Sequence, residues 1–284
     1  MKIFITGGTG FIGHWVVKLL YRQGHNLLLL SRNLSPLSET SRRINFLKGD
    51  LSDIHIWKHE LKKFHPEITI HLAWESLPNY DVKTSIKNLN YGLDLLTMLG
   101  ELGCKSVICP GTCWEYGRTS GKLQEDMSVK PFNAFSAAKN SLHWLGDELA
   151  KEYGMTFIWT RLFFVYGPGQ KESSLIPYII HSIKQRRIPE IKNPLGKNDF
   201  IYVEDAANAL CMIANKQPKT SLYNIGSGRL MSVEKIIKIM YDLYDIPYQS
   251  KNLNPALSAR LAEGFYADIS RIKKNLTGRQ TLIF

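Results

Sequence analysis

Cysteine is scarce in this sequence, no apolar run reaches membrane length, and no segment is of low complexity or repeats. The 4 cysteines, Cys104, Cys109, Cys113 and Cys211, show neither the density of a disulfide scaffold nor the paired spacing of a metal site. Cys109 and Cys113 fall on an expected strand end and loop, so reduced, structural thiols and no bound metal are expected. The longest apolar candidates, such as residues 26–30, are strand-sized, which argues against a membrane partner. Met1-Lys2-Ile3-Phe4-Ile5-Thr6 runs straight into glycines, without the apolar stretch of a signal peptide. A cytoplasmic protein is expected.

What is present is an ordinary globular composition, 44% hydrophobic and 21% charged over 284 residues. That length builds one large α/β domain, alone or with a smaller lobe. The net charge is +11, but the basic residues are dispersed rather than gathered in an arm or stripe, which argues against a nucleic-acid partner. A small polyanionic ligand accounts for part of the excess, and solvated surface for much of the rest.

Apolar runs of strand length occur at 2–6, 26–31, 45–48, 68–72, 106–109, 156–160 and 221–225. Helical periodicity falls between them, at 10–22, 54–64, 82–102, 134–152, 175–185, 203–215 and 233–242. Strands alternating with helices predict an α/β fold, a doubly wound parallel sheet covered on both faces. After about Tyr166 the alternation loosens and turn residues accumulate, at Gly167-Pro168-Gly169, Asn193-Pro194 and Asn254-Pro255. The expected division is a dinucleotide-binding domain of 1–165 plus about 200–226, and a mixed substrate-binding lobe of 166–199 and 227–284.

Thr6-Gly7-Gly8-Thr9-Gly10-Phe11-Ile12-Gly13 joins the first strand to the first helix. Gly7 permits the tight turn, Gly10 lets backbone approach a pyrophosphate, and Gly13 lets the helix pack close to the strand. The phosphates would meet free N–H groups and the positive end of the helix. Glycine clusters are often plain loops, but this one sits between strand and helix. The next strand ends in Ser31-Arg32-Asn33 rather than in the acidic residue that holds the ribose of NAD. Arg32 can pair with a 2′-phosphate and stack on adenine, with no carboxylate there to repel it, which predicts NADP(H) over NAD(H). An ordinary surface arginine is the plainer alternative. Asp50, followed by Leu51, is placed to accept from the adenine amino group. His71-Leu72-Ala73-Trp74 closes the following strand, with His71 expected to be packed rather than catalytic.

Together these residues resemble the extended short-chain dehydrogenase/reductase family, the NAD-dependent epimerase/dehydratase superfamily, over nearly the whole chain. The likeness also takes in Asn88, Tyr116-Gly117, Arg161 through Gly167-Pro168-Gly169-Gln170, Asp199 through Asp205, and Tyr223-Asn224-Ile225-Gly226-Ser227-Gly228. It implies a nucleotide-sugar substrate, and a dinucleotide held by Gly7, Gly10, Phe11, Ile12, Gly13, Ser31, Arg32, Asn33, Asp50, Leu51, Leu72, Ala73, Trp74, Asn88, Lys139 and Leu162. It places Thr112 against the substrate oxygen, five residues before Gly117. It also implies a homodimer formed through the helices at 82–102 and 134–152.

The family's Tyr-x-x-x-Lys reads Phe135-Ser136-Ala137-Ala138-Lys139 here. The i,i+4 spacing puts both positions on one helix face, where the lysine would hold the nicotinamide ribose and acidify the tyrosine. With Phe135 in the tyrosine position, three explanations stand: a deliberate Tyr→Phe replacement, another donor such as Glu115, Tyr116 or water, or a chain that binds without catalysis.

Phe164 and Asn198 stand where the resemblance implies Asn and Arg, the first of these a position that touches the sugar diphosphate, and Cys113-Trp114 replaces the acidic pair of the dehydratases. The segments 71–75, 111–116 and 161–166 resemble the branch that reduces nucleotide-linked 4-keto-6-deoxyhexoses, of the abequose and fucose synthase type, and a net reduction suits NADPH. Trp74, Trp114, Glu115, Phe164, Tyr166, Gln170, Asn198 and Arg260 are the expected sugar-nucleotide residues. A 4-epimerase and a non-catalytic dinucleotide- or nucleotide-sugar-binding protein are the alternatives.

Overall fold

The seven strand-sized runs hydrogen-bond into one sheet. They are β1 (Lys2–Thr6), β2 (Asn26–Ser31), β3 (Ile44–Lys48), β4 (Ile68–His71), β5 (Ser106–Thr112), β7 (Thr156–Leu162) and β11 (Leu222–Ile225). The structure, a computed structural model, describes residues 1–33, 42–248 and 263–277. Every pairing in the sheet is parallel, in the order β11-β7-β5-β4-β1-β2-β3. The chain winds outward from β1 through β2 to β3, then restarts on the other side with β4. The switch point therefore lies between β1 and β4, where doubly wound sheets leave a crevice beyond their carboxyl ends.

Side chains alternate across the strands, and the two cores show it. Ile3 and Ile5 join the cluster under α1 (Phe11–Arg22) and α6 (Val203–Lys216), with Val16, Leu20, Ala206 and Leu210. Phe4 points the other way, into the cluster with Trp57 of α2 (Ile54–Phe64), Leu95 and Leu99 of α3 (Val82–Glu101), and Leu142 of α4 (Ala134–Tyr153). Each fully buried aliphatic side chain contributes roughly 1.5–3 kcal/mol. Local signals set the helix ends. Asp81 caps α3 by accepting from the Thr84 N–H at 2.7 Å, and Gly154 ends α4 at φ 67°.

The other strands are two to four residues long and carry no legible alternation. β8 (Phe164–Tyr166) pairs with β10 (Phe200–Tyr202). The strands β6 (Gly121–Leu123), β9 (Lys197–Asn198), β12 (Met231–Ser232) and β13 (Gly264–Ala267) form a mixed sheet in the order β12-β9-β13-β6. Buried Asp199 joins these pieces, accepting from Ser227 N–H and hydroxyl at 2.6 Å and from Gly228 and Ala267 N–H at 3.0 Å. A separate apolar cluster lies between α5 (Leu175–Lys184) and α7 (Val233–Leu243).

The long elements match the sequence reading with small shifts. β4 ends at His71, while β5 and β7 run on to Thr112 and Leu162, whose Cα positions pair. All four cysteines are buried and free, and burial pushes Cys109 and Cys211 up to about 12. Among the described residues no helix is long and apolar enough to cross a membrane, and no His/Cys/Asp/Glu group could hold a metal.

Candidate functional site

The turn after β1 is shaped by the glycines. Gly7 has φ 71°, and a Cβ there would stand 2.6 Å from the Ala73 nitrogen, so the chain leaving β4 presses on the turn. Gly10 N–H closes the turn onto the Gly7 carbonyl at 3.0 Å, and a Cβ on Gly13 would overlap that same oxygen. Gly10 is the N-cap of α1 and no side chain caps the helix. Its first N–H groups and its positive end are left for a ligand anion.

Gly7, Thr9 and Gly10 line a groove of about 450 Å³ at the switch point. Ser31, Arg32, Asn33, Asp50 and Leu51 reach it from β2 and β3, and Leu72, Ala73, Trp74 and Asn88 from β4 and α3. Phe11, Ile12, Gly13 and Leu162 do not line it; the first three supply the opening turn of α1. Asp50 accepts from Ser52 N–H at 2.9 Å, and Ser31 donates to the Asn33 carbonyl at 2.7 Å. Asn88 holds the rim in shape, accepting from Glu75 N–H at 2.6 Å and donating to the Glu75 and Thr84 carbonyls.

One expectation about this groove is corrected. Arg32 is not free of carboxylates: Asp50 lies 3.8 Å away and Glu75 3.5 Å away, with Lys87 also 2.9 Å from Glu75. Neither carboxylate stands at the end of β2, so inspecting that strand alone missed them. They arrive from the loops after β3 and β4.

Beyond Trp74 lie the residues of the Tyr-x-x-x-Lys position. Lys139 is buried and donates to the Pro110 carbonyl at 2.8 Å, and burial lowers its pKa. Phe135 packs edge-on against Trp74 at 5.5 Å and Trp114 at 6.1 Å, and against Tyr80 at 5.2 Å. Trp114 in turn meets Tyr80 and Phe132. Thr112 ends β5, its hydroxyl accepting from Trp114 N–H at 3.3 Å. The Trp74 indole covers the Lys139 ammonium, 4.0 Å from the ring centre.

Of the three substitutes expected for the missing hydroxyl, Glu115, Tyr116 or water, the two side chains are engaged in buried hydrogen bonds. Glu115 is fully buried, accepting from Thr112 N–H at 2.8 Å, Trp159 Nε1 at 3.1 Å and Arg161 Nε at 2.9 Å. Burial pushes its carboxyl up, against the pull of Arg161 and these donors. The Tyr116 hydroxyl donates to Asn224 at 2.8 Å. Both belong to the packing that ties β5 to β7 and β11. Glu115, expected in the sugar pocket, lies instead in the interior among Thr112, Trp159 and Arg161.

The other expected substrate residues are spread over neighbouring elements. Phe164 packs on Phe200 and Phe265, Tyr166 on Tyr202, and Asn198 sits in β9 between β12 and β13. The Gln170 amide donates to the Val165 carbonyl at 3.1 Å. Arg260 lies outside the described residues. His71 is packed as expected, 2.7 Å from the Thr6 hydroxyl, with burial and then Lys139 lowering it to about 3. Glu75 and Tyr91 on the groove and Tyr80 on Phe135 were not singled out from the sequence. Glu75 directly follows the His71–Trp74 run and was legible as a strand-end acid. Tyr80 sits in a loop, where only the folded chain shows its neighbour.

Comparison with known proteins agrees with this architecture. Residues 3–226 match the NAD dependent epimerase/dehydratase family, and the chain belongs to it. A dTDP-6-deoxy-L-talose 4-dehydrogenase (NAD(+)) from Aggregatibacter actinomycetemcomitans is 26% identical, covering 91% of this chain and 96% of the relative. A UDP-glucose 4-epimerase from Corynebacterium glutamicum is 25% identical over 87% of this chain and 82% of its own. The crystal structure of UDP-glucuronic acid 4-epimerase from Bacillus cereus in complex with NAD superposes with a TM-score of 0.83 at 22% identity, covering 99% of this chain and 94% of that one. The chain is thus an α/β member of the NAD dependent epimerase/dehydratase family, with the fold of its solved structures.

Proposed function

We propose that the protein reduces the 4-keto group of a nucleotide-linked 4-keto-6-deoxyhexose with NADPH. The observation that carries the cofactor half is the uncapped start of α1 behind Gly7, opening on a 450 Å³ groove with Arg32 on its wall. The residues present fit a dinucleotide. The first turn of α1 binds phosphate, Arg32 pairs with a 2′-phosphate, and Asp50 and Leu51 hold the adenine. When bound, the cofactor supplies a hydride. The C4 reading is supported by the 4-dehydrogenase relative, because a 4-dehydrogenase and a 4-ketoreductase run one equilibrium in opposite directions. The sugar nucleotide is taken by the lobe of residues 166–199 and 227–284, and the aromatic wall of Trp74, Trp114 and Phe135 meets its less polar ring.

In this reading Thr112 orients the substrate oxygen, and its proton comes from water or from the phenol of Tyr80 beside Phe135. Burial raises the Tyr80 pKa, which keeps that phenol protonated at neutral pH. We also propose a dimer through the exposed apolar side chains of Val82, Ile86, Trp144 and Leu145 on α3 and α4, to be checked by light scattering.

The test is NADPH oxidation with UDP- and dTDP-4-keto-6-deoxyhexoses, by the protein and by Phe135→Tyr. A restored phenol is expected to raise turnover by about 10²–10⁴. If Phe135→Tyr is also inert on every ketosugar tried, only binding is left. The second reading, a 4-epimerase, is favoured by the UDP-glucose 4-epimerase relative. It predicts interconversion of sugars with no net change in cofactor, whereas the reductase consumes one NADPH per sugar.

A further inference from the structure

The chain between β8 and α5 bridges the two sides of the switch-point crevice. One end rests on α1. Trp15 Nε1–H donates to the Pro168 carbonyl at 3.4 Å, and a Cβ on Gly169 would lie 3.8 Å from the Phe11 ring. The other end rests on the loop after β4, where the exposed Lys171 ammonium donates to the Leu77 carbonyl. These two supports flank the groove. Its lining reaches Gly10, directly before Phe11, on one side and Glu75, just short of Leu77, on the other. The steps from Pro168 to Lys171 extend about 10 Å at most, and the lysine side chain closes the remainder.

The support beside β4 is firmly built. Leu77 sits in a turn closed by Asn79 N–H onto the Ser76 carbonyl at 2.7 Å, and Asn88 holds Glu75 before it. The crossing keeps its own shape: Gln170 donates through its N–H to the Gly167 carbonyl at 3.2 Å and through its amide to the Val165 carbonyl at 3.1 Å. Both of its positive-φ positions are glycine, 145° at Gly167 and 90° at Gly169, and Ser174 beyond it makes no side-chain cap on α5. Glycines at the foot of a short segment are what a hinge uses, and an exposed hydrogen bond is among the first to open. A dinucleotide is wide at its two bases and narrow at its pyrophosphate. With its phosphates on the glycine turn, that waist lies beside the crossing, and one base must pass it. We propose that residues 167–171 form a latched strap, which opens when Lys171 parts from the Leu77 carbonyl and so gates entry and exit of the dinucleotide. The gate rests on the dinucleotide reading above. It gives Lys171 a role in rates and none in affinity.

The experiment is stopped-flow binding of NADPH, followed by its nicotinamide fluorescence, beside calorimetric affinities for NADPH and for adenosine 2′,5′-bisphosphate, which need not pass the strap. The protein is compared with Lys171→Met, which cuts the latch, Lys171→Arg, which keeps a donor, and Trp15→Phe, which frees the other end and keeps a ring. Lys171→Met is expected to speed NADPH association and dissociation together by about three- to tenfold, with affinity held within about twofold. Trp15→Phe should move both rates the same way, and Lys171→Arg should restore the slower ones. Unchanged bisphosphate affinity shows that the variants are folded. Rates unchanged in both Lys171→Met and Trp15→Phe would overturn the gate. Weaker NADPH binding with faster release and unchanged association would overturn it too, since Lys171 would then be a direct ligand of the phosphates. A loss shared by the bisphosphate would make the segment a support of the turn and equally end the proposal. If the unsubstituted protein bound neither NADPH nor the bisphosphate, the dinucleotide reading itself would fall, and the gate with it.

Discussion

Replacing Arg32 by alanine tests the cofactor preference, and the structure sets the size of the effect. The Arg32 side chain is 67% exposed, so its charge acts through a medium close to water. There, unit charges about 4 Å apart interact by about 1 kcal/mol. A phosphate monoester carries about −1.5 to −2 charges at neutral pH, so Arg32 would attract a 2′-phosphate by roughly 1.5–2 kcal/mol. Asp50 and Glu75, 3.8 and 3.5 Å from the guanidinium on its other contacts, oppose this from farther away. The net preference for NADPH over NADH is then about 1 kcal/mol, roughly fivefold. Arg32→Ala leaves only the two carboxylates facing the 2′-phosphate, so it is expected to reverse the preference to NADH by about 0.5–1 kcal/mol, roughly two- to fivefold, while leaving NADH affinity nearly unchanged. Glu75→Gln should move the ratio the other way by a small factor. Titration of both dinucleotides at low and high salt reads the effect, since screening must shrink the NADPH advantage. Equal losses for NADPH and NADH in Arg32→Ala, or a preference indifferent to salt, would refute the reasoning.

Three further outcomes follow from the packing of the turn and of the buried charges. Gly13→Ala drives a methyl into the Gly7 carbonyl and should abolish dinucleotide binding, with a stability loss of about 1–3 kcal/mol by urea unfolding; wild-type affinity would contradict the turn geometry. Glu115→Gln leaves Arg161 buried without its counter-charge and should cost about 3–5 kcal/mol, much of it recovered in Glu115→Gln/Arg161→Met; full additivity of the two changes would argue against the pair. Acid should weaken the fold through His71, held neutral with its pKa lowered to about 3, and His143, lowered to about 4 by burial and then Arg161. Their folded pKa values lie below the unfolded value, so the unfolded chain binds more protons. Stability is whole above pH 6.5 and falls between 6.5 and about 3–4, by about 2 kcal/mol per histidine at pH 5. His71→Asn should flatten that slope when unfolding is followed against pH, and an unchanged slope would count against a neutral His71.

The main sheet was legible because its strands are continuous apolar runs, such as Leu27-Leu28-Leu29-Leu30, buried on both faces by helices whose own periodicity is strong. The glycine turn was legible for the same local reason: positive φ at Gly7 and close contact at Gly13 are properties that few residues other than glycine supply. The short strands β8, β9, β10, β12 and β13 were not legible. Two to four residues cannot display a period, and their pairing is set by partners up to well over a hundred positions away, as between β6 and β13.

The chain by itself determined the fold, the dinucleotide turn and the Phe135–Lys139 face, because each depends on residue type at fixed local spacing. Only the tertiary structure decided that Asp50 and Glu75 flank Arg32, that Glu115 is spent on Arg161 and Trp159, and that Trp74 covers Lys139. Those are pairings between side chains from different strands. Their charges and hydrogen bonds are settled by distance in space, which spacing along the chain does not carry.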